Sequence, residues 1–180
     1  MRIAVYCGSR DGNGPEYLAK AEELGRWIGK NGHELVYGGS QGGLMGAVAD
    51  AALQCGAAVT GVQPDIPLIK ARCHPGLTTL IQTKTMAERR SEMIRLSDAF
   101  VALPGGVGTL DEISEVLSLA SLDIVRGPVV FVNTLGYYDR LRAFTQDMVE
   151  RGFAEKEYFD RVLFSGDVEE IGRFLEKGRI

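Results

Sequence analysis

Short apolar runs alternate along this chain with longer segments of helical periodicity, and no other feature restricts the fold as strongly. Unbroken runs such as AFVAL at 99–103 are typical of parallel strands that are buried on both faces. The pattern predicts strands at about 2–6, 34–37, 57–62, 78–82, 98–103, 128–132 and 160–164. It predicts helices at about 15–30, 43–54, 85–96, 109–122, 137–150 and 167–177. This alternation favours an α/β fold, a Rossmann-like three-layer sandwich with a mostly parallel sheet.

Length and charge exclude several classes of protein. A chain of 180 residues, 45% of them hydrophobic, has the size and composition of one globular domain, so residues 1–180 are predicted to form a single domain. The net charge is −4 and the charged residues are interspersed, which argues against binding of a nucleic acid polymer or an anionic membrane. No apolar run approaches the roughly 20 residues of a membrane span. The three cysteines are scattered, which favours a cytoplasmic protein without disulfides or a zinc site.

Glycine-rich loops follow three of the predicted strands and precede three of the predicted helices. They lie at Cys7–Arg10, Tyr37–Gly43 and Pro104–Thr109. Because the carboxyl ends of parallel strands meet at one edge of an open sheet, where such folds bind ligands, the three loops are expected to line one crevice. The longest irregular stretch, at about 63–77, is expected to form a mobile flap or a loop that contacts a partner.

The loop Pro104–Thr109 has the composition of a phosphate-binding turn. Gly105, Gly106 and Gly108 permit positive φ and close approach of the backbone, and the helix that follows supplies free N–H groups and the positive end of its dipole. Thr109 would add a hydroxyl group or cap the helix. The loop matches neither GxxxxGK[ST] nor GxGxxG, so a phosphate monoester is a simpler ligand than a nucleoside triphosphate or a dinucleotide. The alternative is a tight strand-to-helix turn without a ligand.

Glu112 has two interpretations. It lies three residues after Thr109, the spacing of a capping box, in which its carboxylate would only satisfy a backbone N–H group. An anion beside a phosphate site, however, costs free energy unless a cation or a positively charged transition state compensates it. The second interpretation makes Glu112 a candidate catalytic residue.

Two arginines on the preceding helix are candidates for the compensating cation. At 100° per residue, Arg89 and Arg90 fall within an apolar arc. This arc is defined by Met86, Met93, Ile94 and Leu96. An inward arginine needs a partner, which would be Glu112, a bound phosphate or an internal salt bridge, unless its aliphatic stem simply lies over the core.

Other polar side chains are expected to be structural. Thr85 and Glu88 have the spacing of a capping box at the start of the 85–96 helix. His33 and His74 are expected at the surface. Cys7 is expected to be a small buried side chain rather than a nucleophile, because no histidine partner is identifiable.

Three segments carry a resemblance to a known family. Pro104–Glu112, PGGVGTLDE, resembles the PGGxGTxxE signature of the LONELY GUY (LOG) family. Met86–Met93, MAERRSEM, resembles the partner segment of that family, usually M-H-x-R-K, and Tyr37–Gly46 is similar to its first glycine loop. The likeness extends from Tyr6 to about Phe153. It implies a cytokinin riboside 5′-monophosphate phosphoribohydrolase, an N-glycosyl hydrolase that releases the base and ribose 5-phosphate; many bacterial proteins of this kind act on AMP.

The resemblance also implies roles for individual residues. Arg89 and Glu112 take the catalytic positions. Substrate and phosphate would be bound by Gly105, Gly106, Val107, Gly108, Thr109, Arg90, Ser118, Gly39, Ser40, Gly43 and Met86. A homodimer or a higher homo-oligomer is implied, with contacts near 85–122. Base specificity is left open by four departures from the family pattern, at Gly42, Ala87, Leu119 and Ser121.

The expected ligand is therefore a nucleoside 5′-monophosphate, either AMP or a prenylated adenine nucleotide. Hydrolysis needs only water, so no metal and no redox cofactor are expected, and nothing marks a pyridoxal phosphate lysine of the kind that an older label of this family, lysine decarboxylase, would require. One alternative is a non-catalytic nucleotide-binding protein on the same fold. The other, an NAD(P)-dependent oxidoreductase, is disfavoured by the missing dinucleotide fingerprint and by the short chain.

Overall fold

The structure, a computed structural model, describes residues 1–178, so the last two residues of the predicted 1–180 domain lie outside the described residues. In this part of the chain the strands are β1 Arg2–Tyr6, β2 Glu34–Tyr37, β3 Val59–Pro64, β4 Thr79–Thr83, β5 Ala99–Ala102, β6 Val129–Val132 and β7 Val162–Ser165. The α-helices are α1 Pro15–Lys30, α2 Gly43–Gln54, α3 Pro67–Lys70, α4 Met86–Arg95, α5 Val107–Ser121, α6 Asp139–Glu150 and α7 Val168–Lys177. Short 3-10 helices lie at Thr134–Gly136 and Lys156–Arg161.

The strands form one parallel sheet in the order β4-β3-β2-β1-β5-β6-β7. β1 lies at its centre, where Val5 is opposite Tyr37 of β2 and Val101 of β5. The direction in which the chain adds strands reverses beside β1. Sheets of this kind bind ligands at such a reversal, outside the carboxyl ends of the strands. The predicted α/β class with a parallel sheet is confirmed.

The two faces of the sheet carry separate apolar cores, because alternate strand residues point to opposite sides. On one face, Val5 belongs to a buried cluster that includes Leu24 of α1, Val48 of α2 and Ile171 of α7. On the other face, Tyr6 belongs to a cluster with residues of α4, α5 and α6. Helices therefore cover both faces, as the predicted three-layer sandwich requires.

The predicted boundaries agree with the observed ones within two residues, but other expectations need correction. The stretch at about 63–77, expected to be irregular, contains helix α3, whose first residue Pro67 has a φ already suited to a helix. His33 and His74, expected at the surface, are 8% and 7% exposed. The His33 ring packs 5.0 Å from that of Trp27, and Nε2 of His74 lies 3.0 Å from Asp50. Among the described residues, no helix has the length and apolar character needed to cross a bilayer.

Candidate active site

A cavity of about 370 Å³ opens at the carboxyl ends of the central strands. Its lining comes from the three glycine loops, from the chain between β3 and β4, and from helices α2, α4 and α5. The lining residues are Cys7, Gly8, Ser9, Gly38, Ser40, Met45, Leu68, Ile69, Arg72, Met86, Arg89, Gly106, Val107, Gly108, Thr109 and Glu112. The predicted convergence of the three loops on one crevice is confirmed. A neighbouring cavity of about 410 Å³ shares Gly8, Ser9 and Gly106 with it and extends to Tyr17 and Tyr137.

Arg89 of α4 and Glu112 of α5 form a buried ion pair in this cavity. Each side chain is 7% exposed, and Nη1 of Arg89 donates a hydrogen bond to Oε1 of Glu112. Nε of Arg89 donates a second bond, of 2.9 Å, to the carbonyl of Val62 on β3, which orients the guanidinium. A Cβ atom at Gly38 would lie 2.4 Å from Nη2 of Arg89. Only glycine at that position therefore leaves room for this guanidinium.

The burial of this pair changes its acid–base behaviour. Burial raises the pKa of Glu112 above that of an exposed carboxyl group, and the charge of Arg89 opposes the shift. Burial also raises the pKa of Cys7, and the charge of Glu112 adds to that effect. Because a raised pKa disfavours the thiolate and Cys7 is only 2% exposed, its interpretation as a small buried side chain is confirmed. A carboxyl group of raised pKa, in contrast, is suited to exchange protons closer to neutral pH.

Helix α5 begins in the cavity. Gly106 precedes its first residue, Val107, and within residues 1–178 no side chain accepts a hydrogen bond at this N-terminus. The first N–H groups of a helix have no partner within it, so they and the helix dipole are available to an anion. A Cβ atom at Gly106 or Gly108 would meet none of the described residues within 4 Å. Packing therefore does not require glycine at these two positions, and the bare backbone leaves room for a ligand.

The structure excludes one of the two interpretations of Glu112. Thr109 lies inside the first turn of α5 rather than before it and does not cap the helix, so the capping-box interpretation is wrong. The corresponding prediction for α4 is confirmed, because Oγ1 of Thr85 accepts a hydrogen bond of 3.1 Å from the N–H of Glu88. The Glu88 carboxylate in turn accepts a bond of 2.8 Å from the N–H of Lys84.

Several residues assigned to the substrate from sequence do not line the cavity. Arg90 is half-buried, and its Nε donates a hydrogen bond to Glu115 of α5. Ser118 is exposed farther along the same helix. Gly39 and Gly43 support the second loop through their positive φ angles of 75° and 63°. Their roles in substrate binding stay predictions, as do those of the residues that do line the cavity.

Sequence reasoning missed one wall of the cavity. Leu68, Ile69 and Arg72 come from the stretch between β3 and β4, where the prolines indicate only irregular backbone. A helix of four residues is too short to show a periodicity. Met45 of α2 also lines the cavity, although its apolar character is equally typical of a core position.

Comparison with known proteins identifies the family. The model of a family described as possible lysine decarboxylase matches residues 45–175. A cytokinin riboside 5′-monophosphate phosphoribohydrolase of Rhodococcoides fascians is 40% identical over 168 residues, which are 93% of this chain and 85% of that protein. The chain belongs to the LOG family. Another LOG relative, a cytokinin riboside 5′-monophosphate phosphoribohydrolase of Arabidopsis thaliana, is 38% identical over 98% of this chain and 81% of its own length.

The LOG fold also resembles solved structures of other proteins. A molybdenum cofactor carrier protein from Chlamydomonas reinhardtii has a TM-score of 0.74 and 22% identity, covering 98% of this chain and 96% of its own. At this identity the likeness shows the fold alone. The family's description as a possible lysine decarboxylase does not fit the site, because pyridoxal phosphate needs a lysine for its Schiff base and no described residue of the cavity lining is a lysine.

Proposed function

We propose that this protein hydrolyses the N-glycosidic bond of a nucleoside 5′-monophosphate, releasing the free base and ribose 5-phosphate. The observation that carries the proposal is the buried pair of Arg89 and Glu112 beside the uncapped start of α5. A held carboxylate next to an anion site suits a reaction in which positive charge develops on a ribosyl group. The names of the Rhodococcoides and Arabidopsis relatives support a cytokinin riboside monophosphate as substrate.

The substrate occupies the cavity with its phosphate at the start of α5. The phosphate oxygens accept hydrogen bonds from the N–H groups of Gly106–Thr109, which have no helical carbonyl partner. The ribose then lies beside Glu112, and the base contacts the apolar part of the lining that includes Met45 and Met86. This placement brings the anomeric carbon to the ion pair.

Cleavage breaks the bond between C1′ and the base nitrogen, and the electron pair leaves with the nitrogen. A water oxygen forms the new bond to C1′, and its proton passes through Glu112 to the departing base. The Glu112 carboxylate also stabilises the oxocarbenium-like transition state. Arg89 holds Glu112 in position through its hydrogen bond and neutralises the carboxylate in the ground state.

The test is release of free base. The protein is incubated separately with AMP and with isopentenyladenosine monophosphate, and the products are separated by chromatography. We expect adenine or isopentenyladenine together with ribose 5-phosphate, and the ratio of the two kcat/KM values identifies the preferred substrate. Nucleotide binding without any release of base would instead support the non-catalytic alternative.

We further propose that the protein is a homodimer with α4 and α5 at the contact. This part of the surface carries exposed apolar side chains, namely Val107 at 87%, Leu110 at 48%, Leu122 at 66% and Ile124 at 66% exposure. Large exposed apolar side chains along one helix and its end are typical of interaction surfaces. The proposed compartment is the cytoplasm, which is supported by the three free cysteines.

A further inference from the structure

The segment Asp65–Gly76, which we call the lip, connects β3 to β4 and forms one wall of the cavity. It contains helix α3, and its Leu68, Ile69 and Arg72 line the cavity together with Arg89 and Glu112. Among the described residues, no ion pair or side-chain hydrogen bond holds the Arg72 guanidinium. Arg72 is therefore a cation that faces the cavity and whose charge is not paired with any residue of the described part of the chain.

The lip is joined to the second glycine loop by backbone contacts. Cys73 forms an antiparallel bridge with Ser40. The N–H of Gln41 donates a hydrogen bond of 2.9 Å to the Arg72 carbonyl, and the N–H of His74 donates one of 2.9 Å to the Gly39 carbonyl. The backbone from the Arg72 carbonyl to His74 is thus paired with a loop that itself lines the cavity.

The His74 side chain adds a second attachment, to helix α2. Its Nδ1 accepts a hydrogen bond of 3.0 Å from the N–H of Gly76, so its proton lies on Nε2. Nε2 lies 3.0 Å from Oδ1 of Asp50 and donates to it. The ring is buried, whereas the Asp50 side chain is 60% exposed. His74 therefore ties the end of the lip to α2 through one nitrogen and closes the Pro75 turn through the other.

We propose that the Asp50–His74 pair positions the lip so that Arg72 contacts the phosphate of the bound nucleotide. This inference rests on the proposed function. The phosphate of a nucleoside monophosphate carries nearly two negative charges at neutral pH. Of the two arginines among the described residues that line this cavity, Arg89 is already paired with Glu112, so Arg72 supplies the charge that the phosphate needs. Asp50 and His74 are positioning residues, and neither touches the substrate.

Three single variants and one double variant test the proposal in the base-release assay. Arg72→Ala removes the cation, His74→Asn keeps an acceptor for the N–H of Gly76 but is too short to reach Asp50, and Asp50→Ala removes the partner at an exposed position. We expect each to raise KM for AMP about tenfold with kcat within about twofold, the signature of lost uniform binding. The double variant His74→Asn with Arg72→Ala is expected to raise KM no further than Arg72→Ala alone, because both act through one contact.

His33→Asn is the matched control. His33 is buried to nearly the same degree, but it lies before β2 at the opposite edge of the sheet, where its Nε2 is 3.9 Å from Glu176. It is expected to lower Tm without changing KM. A Tm loss in His74→Asn with an unchanged KM would show that the pair is structural only. If the fold-increase in KM of the double variant equals the product of the two single-variant increases, Arg72 is not positioned by His74.

Calorimetric titration with AMP and amide exchange of residues 65–76 separate this proposal from the proposed function. Faster exchange of these amides in His74→Asn and about tenfold weaker AMP binding in Arg72→Ala are expected even if the wild type releases no base. If these two effects are observed and the wild type releases no base, the hydrolase proposal is overturned and the lip proposal is kept. If the wild type releases base and all three single variants bind AMP with wild-type affinity, the lip proposal is overturned and the hydrolase proposal is kept.

Discussion

A buried arginine and a buried glutamate each compensate the charge of the other, so replacing one of them has consequences for both. In the proposed mechanism Glu112 stabilises the ribosyl cation and Arg89 holds Glu112 in position. Glu112→Gln and Arg89→Ala are therefore each expected to lower kcat by a factor of about 10² or more, the usual effect of losing a positioned catalytic group. Base release at saturating nucleotide measures the loss, and circular dichroism verifies the fold. Glu92→Gln, on α4 but paired with the exposed Arg95, is the control and keeps wild-type kcat. Near-native turnover of Glu112→Gln would contradict the assignment.

The raised pKa of Glu112 predicts a pH profile. The reaction needs the carboxylate, so kcat/KM falls as the pH decreases through this pKa, and the acid limb lies above the ordinary value of about 4.3. Arg89 lowers the pKa, so its removal shifts the acid limb of the residual activity of Arg89→Ala to still higher pH. Profiles of kcat/KM for both proteins provide the measurement. An acid limb that does not move in Arg89→Ala would show that another group titrates.

Gly108 offers a test in which stability and binding change in opposite directions. Its Cβ would meet open space, and glycine inside a helix costs roughly 0.5–1 kcal/mol relative to alanine. Gly108→Ala therefore raises the free energy of unfolding by up to about that amount. The added methyl group lies where the phosphate is proposed to bind, so KM rises. Urea unfolding and base-release kinetics measure the two effects, and a more stable variant with unchanged KM would place the phosphate elsewhere.

At the level of helices and strands, α4 matters because it carries Arg89. Its start depends on the Thr85 hydroxyl, which accepts the Glu88 N–H. Thr85→Ala is expected to lower the stability by about 1 kcal/mol, the usual loss of an N-terminal cap. Thermal unfolding should show this as a decrease in Tm of roughly 2–4 °C. Ser91→Ala, exposed in the middle of the same helix, should not decrease Tm.

At the scale of the whole molecule, the exposed apolar side chains near α5 predict that two copies of the chain associate. Leu122→Arg places a charge in the proposed contact and should shift the mass measured by light scattering from twice 19.5 kDa toward 19.5 kDa. Phe153→Arg changes a side chain that is 85% exposed after α6, outside the proposed contact, and should leave the dimer intact. A monomeric wild type would reject the proposed dimer.

The elements of the fold are predictable because their signals are local. The apolar run at 99–103 and the helical period at 15–30 depend on neighbours within one turn or one strand, and both correspond to observed elements. Glycine after a strand is an equally local signal, and it correctly placed the three loops at one edge of the sheet. Helix α3 of the lip was not predicted because four residues are too few to show a helical period.

The strand–helix alternation and the glycine turn before α5 were therefore determined by the amino-acid sequence, since each depends on residues close together in the chain. Tertiary packing decided the partner of Glu112. Its carboxylate could satisfy a nearby N–H group or a distant cation, and only the packing of α4 beside α5 brings Arg89, 23 positions away, within hydrogen-bonding distance. The same holds for His74, whose ring is hydrogen-bonded to Asp50, 24 positions away on α2. Contacts of this kind depend on how elements pack, which no local pattern records.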